Sequence, residues 1–445
     1  MSDENTRPAQ HPGDPGAEAD QAAQADAARD PDREPGGSRT DGPVEGRSGQ
    51  LVRELLSGSW IVSVLAIVLA LLAGAVLIAL ADTDVQDSAV YLFDRPSDTF
   101  EAVWNAVYNA YEALFRGAIY DFESDTTTRA IRPITESLTF ATPLILAGLG
   151  LAVGFRAGLL NIGGQGQIIL GAIFGGFIGF TYDLPVVLHV VLAVIGAALG
   201  GAIWAGIAGL LKAKTGANEV IVTIMLNNIG LYLIAYLLST EAFQVPGSPN
   251  PISPEISTAT AAYPLLLGES FRLHAGFLVA IVATACVWWL LDRSTIGFEI
   301  RAAGANPHAA RNAGISVERV VVLTMVVSGA LCGLAGSAQV LGTEFVLTRG
   351  VAASYGFDAI TVALLGRSRP LGTFVAGLLF GALRAGGVLM QSTTDTSIDI
   401  ILVVQSIIVL LIAAPPLVRA IFRLPAPGAR PRRSRSAPAT KEVTA

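Results

Sequence analysis

Ten stretches of the chain are apolar for long enough to cross a bilayer, and the polar residues that interrupt them fall in clusters. The first, 60–81, carries no charge. Others follow at about 135–154, 157–180, 185–211, 219–239, 275–292, 320–341, 345–366, 371–390 and 398–417. A hydrocarbon core of ~30 Å needs about 20 helical residues. The pattern therefore predicts an all-α polytopic membrane protein with about ten transmembrane helices. Two runs are irregular: Leu159–Gly166 (LLNIGGQG) and Val351–Asp358 (VAASYGFD) set glycines and polar side chains where a continuous helix is apolar. Both are expected to be interrupted helices.

The first run ends in Ala79-Leu80-Ala81, as a signal-peptidase site does. A signal peptide, however, has an apolar stretch of roughly 7–15 residues and no long leader, so a retained helix is the expectation. Between the first two runs, Phe100, Val103, Trp104, Val107, Tyr108, Tyr111, Leu114 and Phe115 recur at helical spacing. That spacing predicts an amphipathic helix lying on the outer surface, packed on the rim of the bundle or docking an external partner.

The ends read differently. Residues 1–50 hold 11 acidic and 5 basic side chains and no Ile, Leu, Phe, Trp or Tyr. Such a segment cannot bury enough apolar surface to offset its ordering entropy. Residues 418–445 carry six Arg and one Lys against one Glu, among Pro and Ser. Two disordered tails, acidic and basic, are expected to flank a membrane body at 51–417.

Composition agrees with this plan. Apolar residues make up 52% of the 445 and charged ones 15%, and mean hydropathy is +0.56. Soluble domains carry about 25% charged residues, so a soluble enzyme, a disordered regulator and a nucleic-acid-binding protein are all poor fits. Charge also sets orientation. Arg156, Lys212, Lys214, Arg293, Arg301, Arg311, Arg319, Arg367 and Arg369 alternate with loops poor in Lys and Arg. Ten spans with both termini in the cytoplasm satisfy all of them under the positive-inside rule. The acidic 82–134 loop and the Pro-rich 240–274 loop then fall outside.

Enzymatic motifs are scarce. No Gly-Lys dipeptide occurs, so there is no phosphate-binding loop of the G-x-x-x-x-G-K-[ST] kind. Cys286, Cys332 and the four His show no metal-ligand spacing. No catalytic residue, metal or cofactor is expected.

The informative groups are polar ones at membrane depth. The first irregular run offers Asn161, Gln165 and Gln167, the second Tyr355 and Asp358, and the 219–239 run Thr223, Asn227 and Asn228. Non-helical backbone in a membrane is tolerated only where protein buries it or water reaches it, and broken helices beside a polar cavity recur in solute pathways. Uncharged amides suit a neutral, hydrogen-bonding solute; the competing use of each amide is to cross-link helices. Asp358 could serve as a proton relay or as the cap of a half-helix, and Arg384 could snorkel outward. Glycine ladders at 171/175/179, 196/200, 329/333 and 377/381 predict close helix packing. The 293–319 loop is cytoplasmic in this orientation, and its Asn306-Pro307 opens a short helix that could fit a cleft on a cytosolic protein.

On these residues the sequence resembles the permease subunits of bacterial ABC importers related to the ribose and branched-chain amino-acid permeases. It is most similar to the nucleoside permeases that work with a basic-membrane-protein-type lipoprotein. The shared pattern is PLILAGLGLAVGFRAGLLNIGGQGQIILGA (143–172), GANEVIVTIMLNNIG (216–230), RLHAG (272–276), GFEIRAAGANPHAARNAGIS (297–316), SGALCGLAGSAQVLG (328–342) and YGFDAITVALLG (355–366). The resemblance implies a coupling helix at 297–316, with Gly304, Asn306, Ala310, Arg311 and Gly314 meeting a cytosolic ABC ATPase. It also implies a substrate pathway past the interrupted helices, a second and different permease, an extracellular solute-binding lipoprotein, and a nucleoside substrate in the plasma membrane. The rivals are a ribose-like sugar permease, an ion-coupled secondary transporter and a membrane-anchored receptor or structural subunit.

Overall fold

The computed structural model describes residues 59–394, 397–413 and 415–422. The expected acidic tail and nearly all of the basic one lie outside them. The described chain is helical throughout: α1 Ser59–Ala81, α2 Thr83–Ala89, α3 Pro96–Ala118, α4 Thr127–Arg156, α5 Gly164–Thr181, α6 Val186–Thr215, α7 Glu219–Leu237, α8 Gly276–Arg293, α9 Thr295–Ala305, α10 Pro307–Asn312, α11 Val317–Gln339 with a π-turn at Val340–Glu344, α12 Tyr355–Leu365, α13 Pro370–Thr394, α14 Ile398–Ala413 and α15 Pro415–Ile421. Among the described residues the sole β feature is one isolated bridge, Leu265 to His274.

Each of the ten apolar runs contains a helix. Eight helices are long and apolar enough to cross a membrane. The two irregular runs are broken where the polar clusters fall: the chain is non-helical from 157 to 163 before α5, and from 345 to 354 before α12. Helix α15 carries regular structure past residue 418, the expected start of the basic tail.

Helix α4 is the axis of the body. Leu144, Ile145, Leu146, Ala147, Leu149, Leu151, Ala152 and Val153 are all buried, so this helix is enclosed on every side. Helix α7 is the reverse. Its Ile221, Met225, Ile229, Tyr232 and Tyr236 are exposed and lie three or four residues apart along one face.

The glycine ladders join α5, α6 and α11 backbone to backbone. A Cβ on Gly171 would overlap Gly333, one on Gly201 would overlap Gly329, and one on Gly333 would overlap the Ala197 carbonyl. Without a hydrophobic drive between helices in lipid, such close approach supplies the packing energy. The block so formed sets the frame for both breaks.

Helix α3 forms as the periodicity predicts, but its stripe is split. Ala110, Ala113, Leu114 and Gly117 are buried, while Phe100, Trp104, Tyr108 and Phe115 are exposed. Small residues give α3 its seat against α13, with Gly117 lying on Gly386 and Leu389.

Candidate substrate pathway and coupling surface

The first break is held by amides. Asn161 Oδ1 accepts from the Gly163 N–H (2.9 Å) and from Gln167 Nε2 (3.0 Å), while its Nδ2 donates to Gln167 Oε1 (3.1 Å) and Ser328 Oγ (2.9 Å). Both side chains are fully buried. Asn227 reaches across from α7: its Oδ1 accepts from the Gly166 N–H (2.8 Å) and its Nδ2 donates to the Ile162 carbonyl (2.9 Å). Backbone groups freed from the helix ladder thus regain partners, as a low-dielectric setting demands. Thr223 is buried and bonds back to the Glu219 and Val220 carbonyls of its own helix. Asn161, Gln167 and Thr223 are thus engaged in the frame, where the sequence reading sets them along a pathway.

The second break hangs from the long 240–275 loop. The Ser253 N–H donates to the Leu347 carbonyl (3.1 Å), Leu347 N–H to Ser253 Oγ (2.8 Å), Ile256 N–H to the Phe345 carbonyl (2.8 Å) and Tyr263 N–H to the Leu341 carbonyl (2.9 Å). Tyr263 Oη and Ser337 Oγ share a hydrogen bond of 2.9 Å. The His274 ring stacks on Tyr263, with centroids 5.5 Å apart, and its Nδ1 accepts from the Gly276 N–H (3.1 Å). Burial, reinforced by the nearby Arg272 charge, holds the His274 imidazole down at about 4, and burial pushes the Tyr263 phenol up to about 12. Both are neutral at physiological pH.

Past this break, Tyr355 and Asp358 face Arg384. The Arg384 guanidinium lies 4.3 Å over the Tyr355 ring and donates to Asp358 Oδ2 (3.1 Å) and Ser354 Oγ (3.3 Å). Arg384 therefore turns inward and does not snorkel. Asp358 accepts from Ser354 Oγ as well (2.8 Å) and caps no backbone group. An aspartate held by an arginine is not a free proton relay.

One side chain joins the two breaks. Gln165 Nε2 donates to the Ala353 carbonyl (2.6 Å) and its Oε1 accepts from the Gly356 N–H (3.0 Å). Beside this clasp opens a cavity of about 360 Å³, walled by Gln165, Asn227 and Asn228 of the expected set. Arg349 and Phe357 complete its polar and aromatic lining, with Ile169, Ile224 and Leu231 supplying apolar wall. The sequence reading misses both: Arg349 is a charge inside the apolar run 345–366 and is a signal to be read, whereas Phe357 is apolar in an apolar run and gives none. The chemistry is that of a largely neutral site: three amides, one aromatic face and one cation.

At the C-terminal end of α4, where the first break begins, the short helices α9 and α10 make a knob. Asn306 caps α10, its Oδ1 accepting from the His308 (3.0 Å) and Ala309 (3.1 Å) N–H groups. Gly314, at φ 83°, ends it in the left-handed conformation that favours glycine. Ala310 is buried beneath the knob, while Arg311 is exposed and pairs with Glu318 at 3.1 Å. Gly304 faces inward, and a Cβ there would overlap the Arg156 carbonyl and the Ala157–Gly158 backbone. The knob is therefore seated directly on the turn that opens the first break.

The family model described as branched-chain amino acid transport system, permease component, matches residues 134–413. The guanosine ABC transporter permease protein NupP of Bacillus subtilis is 34% identical over 365 residues, 81% of this chain and 95% of that protein. The nucleoside ABC transporter permease protein NupB of Lactococcus lactis is 33% identical, covering 68% of this chain and 82% of that protein. The glucose ABC transporter permease protein TsgB13 of Haloferax volcanii is 35% identical over shorter spans, 62% and 75%. No solved structure matches the chain.

Proposed function

The chain belongs to the permease family of the branched-chain amino acid transport systems, and from that membership we propose that it carries nucleosides across the plasma membrane as one subunit of an ABC importer. It is a multi-pass membrane protein and a transport component. The observation that carries the nucleoside reading is the similarity to the guanosine permease, which extends over nearly the whole of that protein. The cavity supports it: the Gln165, Asn227 and Asn228 amides offer donors and acceptors to a base and a ribose, and Phe357 offers a face for stacking.

In this reading both termini are cytoplasmic, and the α9–α10 knob meets a cytosolic ABC ATPase. An external solute-binding lipoprotein delivers substrate at the 240–275 side, and a second permease closes the pathway across the exposed face of α7. Gly304, Asn306, Ala310, Arg311 and Gly314 form the coupling surface. ATP-dependent closure of the ATPase pair moves the knob, and the knob moves the 156–158 turn that it touches. Transport then follows from different cavity contacts in the two access states. Asn161, Gln167 and Thr223 hold the frame, while Tyr355 and Asp358 hold the wall.

The glucose permease relative gives a second reading, a sugar substrate, its identity being 35%. The test is ATP-driven uptake by the complete complex in vesicles, with labelled guanosine, ribose and glucose compared at equal concentration. Guanosine uptake competed by other nucleosides and not by the sugars is the expected result. Uptake of the sugars alone would replace the nucleoside reading, and uptake that ignores ATP but collapses with an uncoupler would remove the ABC mechanism.

A further inference from the structure

Helix α3 is not laid over the bundle from outside; its anchors are deep. The Tyr111 hydroxyl donates to the carbonyl of Leu71, ten residues inside the end of α1, which is about 15 Å of helical rise. Ser137, ten residues into α4, donates to the Ala118 carbonyl at 2.5 Å. Gly117 rests on Gly386, eight residues before the end of α13. All three partners belong to helices long and apolar enough to cross a bilayer. The helix is inlaid at the depth of the leaflet on that side of the membrane.

Its circumference divides into three arcs by the 3.6-residue period. Ala106, Ala110, Ala113 and Gly117 form a small-residue arc, buried or half-buried, that packs on α13. The second arc is aromatic: its Tyr111 reaches α1, while Phe100 is 72% exposed and Trp104 70%, with Tyr108 and Phe115 about half exposed. The Trp104 and Tyr108 rings stack with centroids 6.4 Å apart. The third arc is polar: Glu101, Asn105, Asn109, Glu112 and Arg116. It borders a hollow of about 400 Å³ shared with Asp82, Asp84 and Glu123.

We propose that the aromatic arc of α3 is a lipid-binding face, set at the boundary between headgroups and acyl chains with the polar arc turned to water. Three observations single out lipid over a protein partner. Depth puts the arc beside acyl chains and not above them. Indole and phenol rings, apolar in body and polar at one tip, are the side chains that favour this boundary. Helix α1, which α3 reaches through Tyr111, carries Val64, Val68, Leu72, Val76 and Leu80 as an exposed aliphatic row at every fourth residue, the surface of a membrane span that no other described residue covers. The inference does not depend on which solute is carried.

The test uses the full chain with Cys286 and Cys332 replaced by Ala, reconstituted in nanodiscs of phosphatidylethanolamine and phosphatidylglycerol. Spin labels are placed one at a time on Trp104→Cys, Tyr108→Cys and Asn109→Cys. Collision with oxygen, which partitions into lipid, is compared with collision with a water-soluble nickel chelate. Oxygen should dominate at 104 and 108, with an oxygen-to-nickel ratio several-fold above that at 109. Nickel dominance at 104 and 108 overturns the proposal in favour of an aqueous surface. Protection from both reagents there overturns it in favour of a protein partner or a second copy. Should Trp104→Cys fail to fold, Phe100→Cys on the same arc decides between the same outcomes.

Discussion

The two breaks differ in what holds them. At the first, side-chain amides at buried or nearly buried positions make the cross-links: Asn161 to Gln167, Ser328 and Gly163, and Asn227 to Ile162 and Gly166. The partners sit on the glycine-welded block. The second break is suspended between a long loop and one partly exposed ion pair, Arg384 with Asp358. It also holds backbone at positive φ without glycine, Phe345 at 56° and Ala353 at 39°, a conformation that costs roughly 1–3 kcal/mol per residue. The contrast assigns roles. A clamp with no loose bond transmits a push from the knob as a rigid piece, whereas a strained and tethered segment changes shape when its tether moves.

The comparison breaks most severely at the knob. Gly304→Val drives a side chain into the Arg156 carbonyl, and such overpacking costs about 1–3 kcal/mol. ATP-driven uptake should be lost while the variant still reaches the membrane with its thermal midpoint lowered by only a few degrees; full uptake in this variant would detach the knob from the first break.

Removing the clamp is the next test. Asn161→Ala leaves the Gln167 amide and the Gly163 N–H buried without partners, each worth about 1–3 kcal/mol. A loss of roughly 3 kcal/mol is expected in detergent unfolding.

Acid should act on the second break before the first, whose Glu219 carboxylate is held by Lys212 and the Leu160 backbone. The His274 value in the fold, about 4, lies below its ordinary 6.5, so the unfolded chain takes up the proton first. Stability is complete above pH 6.5 and is lost as pH falls toward 4, by about 2 kcal/mol at pH 5. Exchange of the Leu347 and Ile256 amides should quicken over that interval in the native chain, and His274→Asn should flatten the response. A pH-independent exchange rate at these amides would remove His274 from the tether.

The smallest effect belongs to the ion pair. Asp358→Asn or Arg384→Gln strands one charge that water still partly reaches, which reduces the penalty of a fully buried pair to about 1–2 kcal/mol. Uptake should slow, with Asp358→Asn and Arg384→Gln together less harmful than the sum of the two. Strict additivity would show that the pair does not act as a unit.

The spans and both breaks were legible because they obey local rules: twenty apolar residues make a span, and glycine with asparagine unmakes one. What the amides do was not legible, since Asn161 and Gln167 face each other across a turn whose shape depends on Ser328, 167 residues away. Asp358 gave no hint of Arg384, 26 positions on and in another helix. Arg349 sits in the cavity wall through the path of a loop, which has no periodicity to read, and that loop also aims the first turn of α12, with Phe357, at the cavity. The α3 helix shows the same limit in miniature. Its amphipathic period was visible, but its depth is set by where Tyr111 and Ser137 find carbonyls.

At their closest points, Gly171 on Gly333, Gly201 on Gly329 and Gly333 on Ala197, the seams between α5, α6 and α11 leave no side chain to swing between neighbouring backbones. Side-chain rotamers are the usual lubricant by which packed helices slide, and at these crossings that lubricant is absent. In the mechanism proposed above, solute passes around this trio as around a fixed fulcrum, with α7 and the 345–354 segment as the levers. Ageing, heat or a careless substitution would spoil the levers first and leave the fulcrum standing, a carrier that keeps its form after it has ceased to carry.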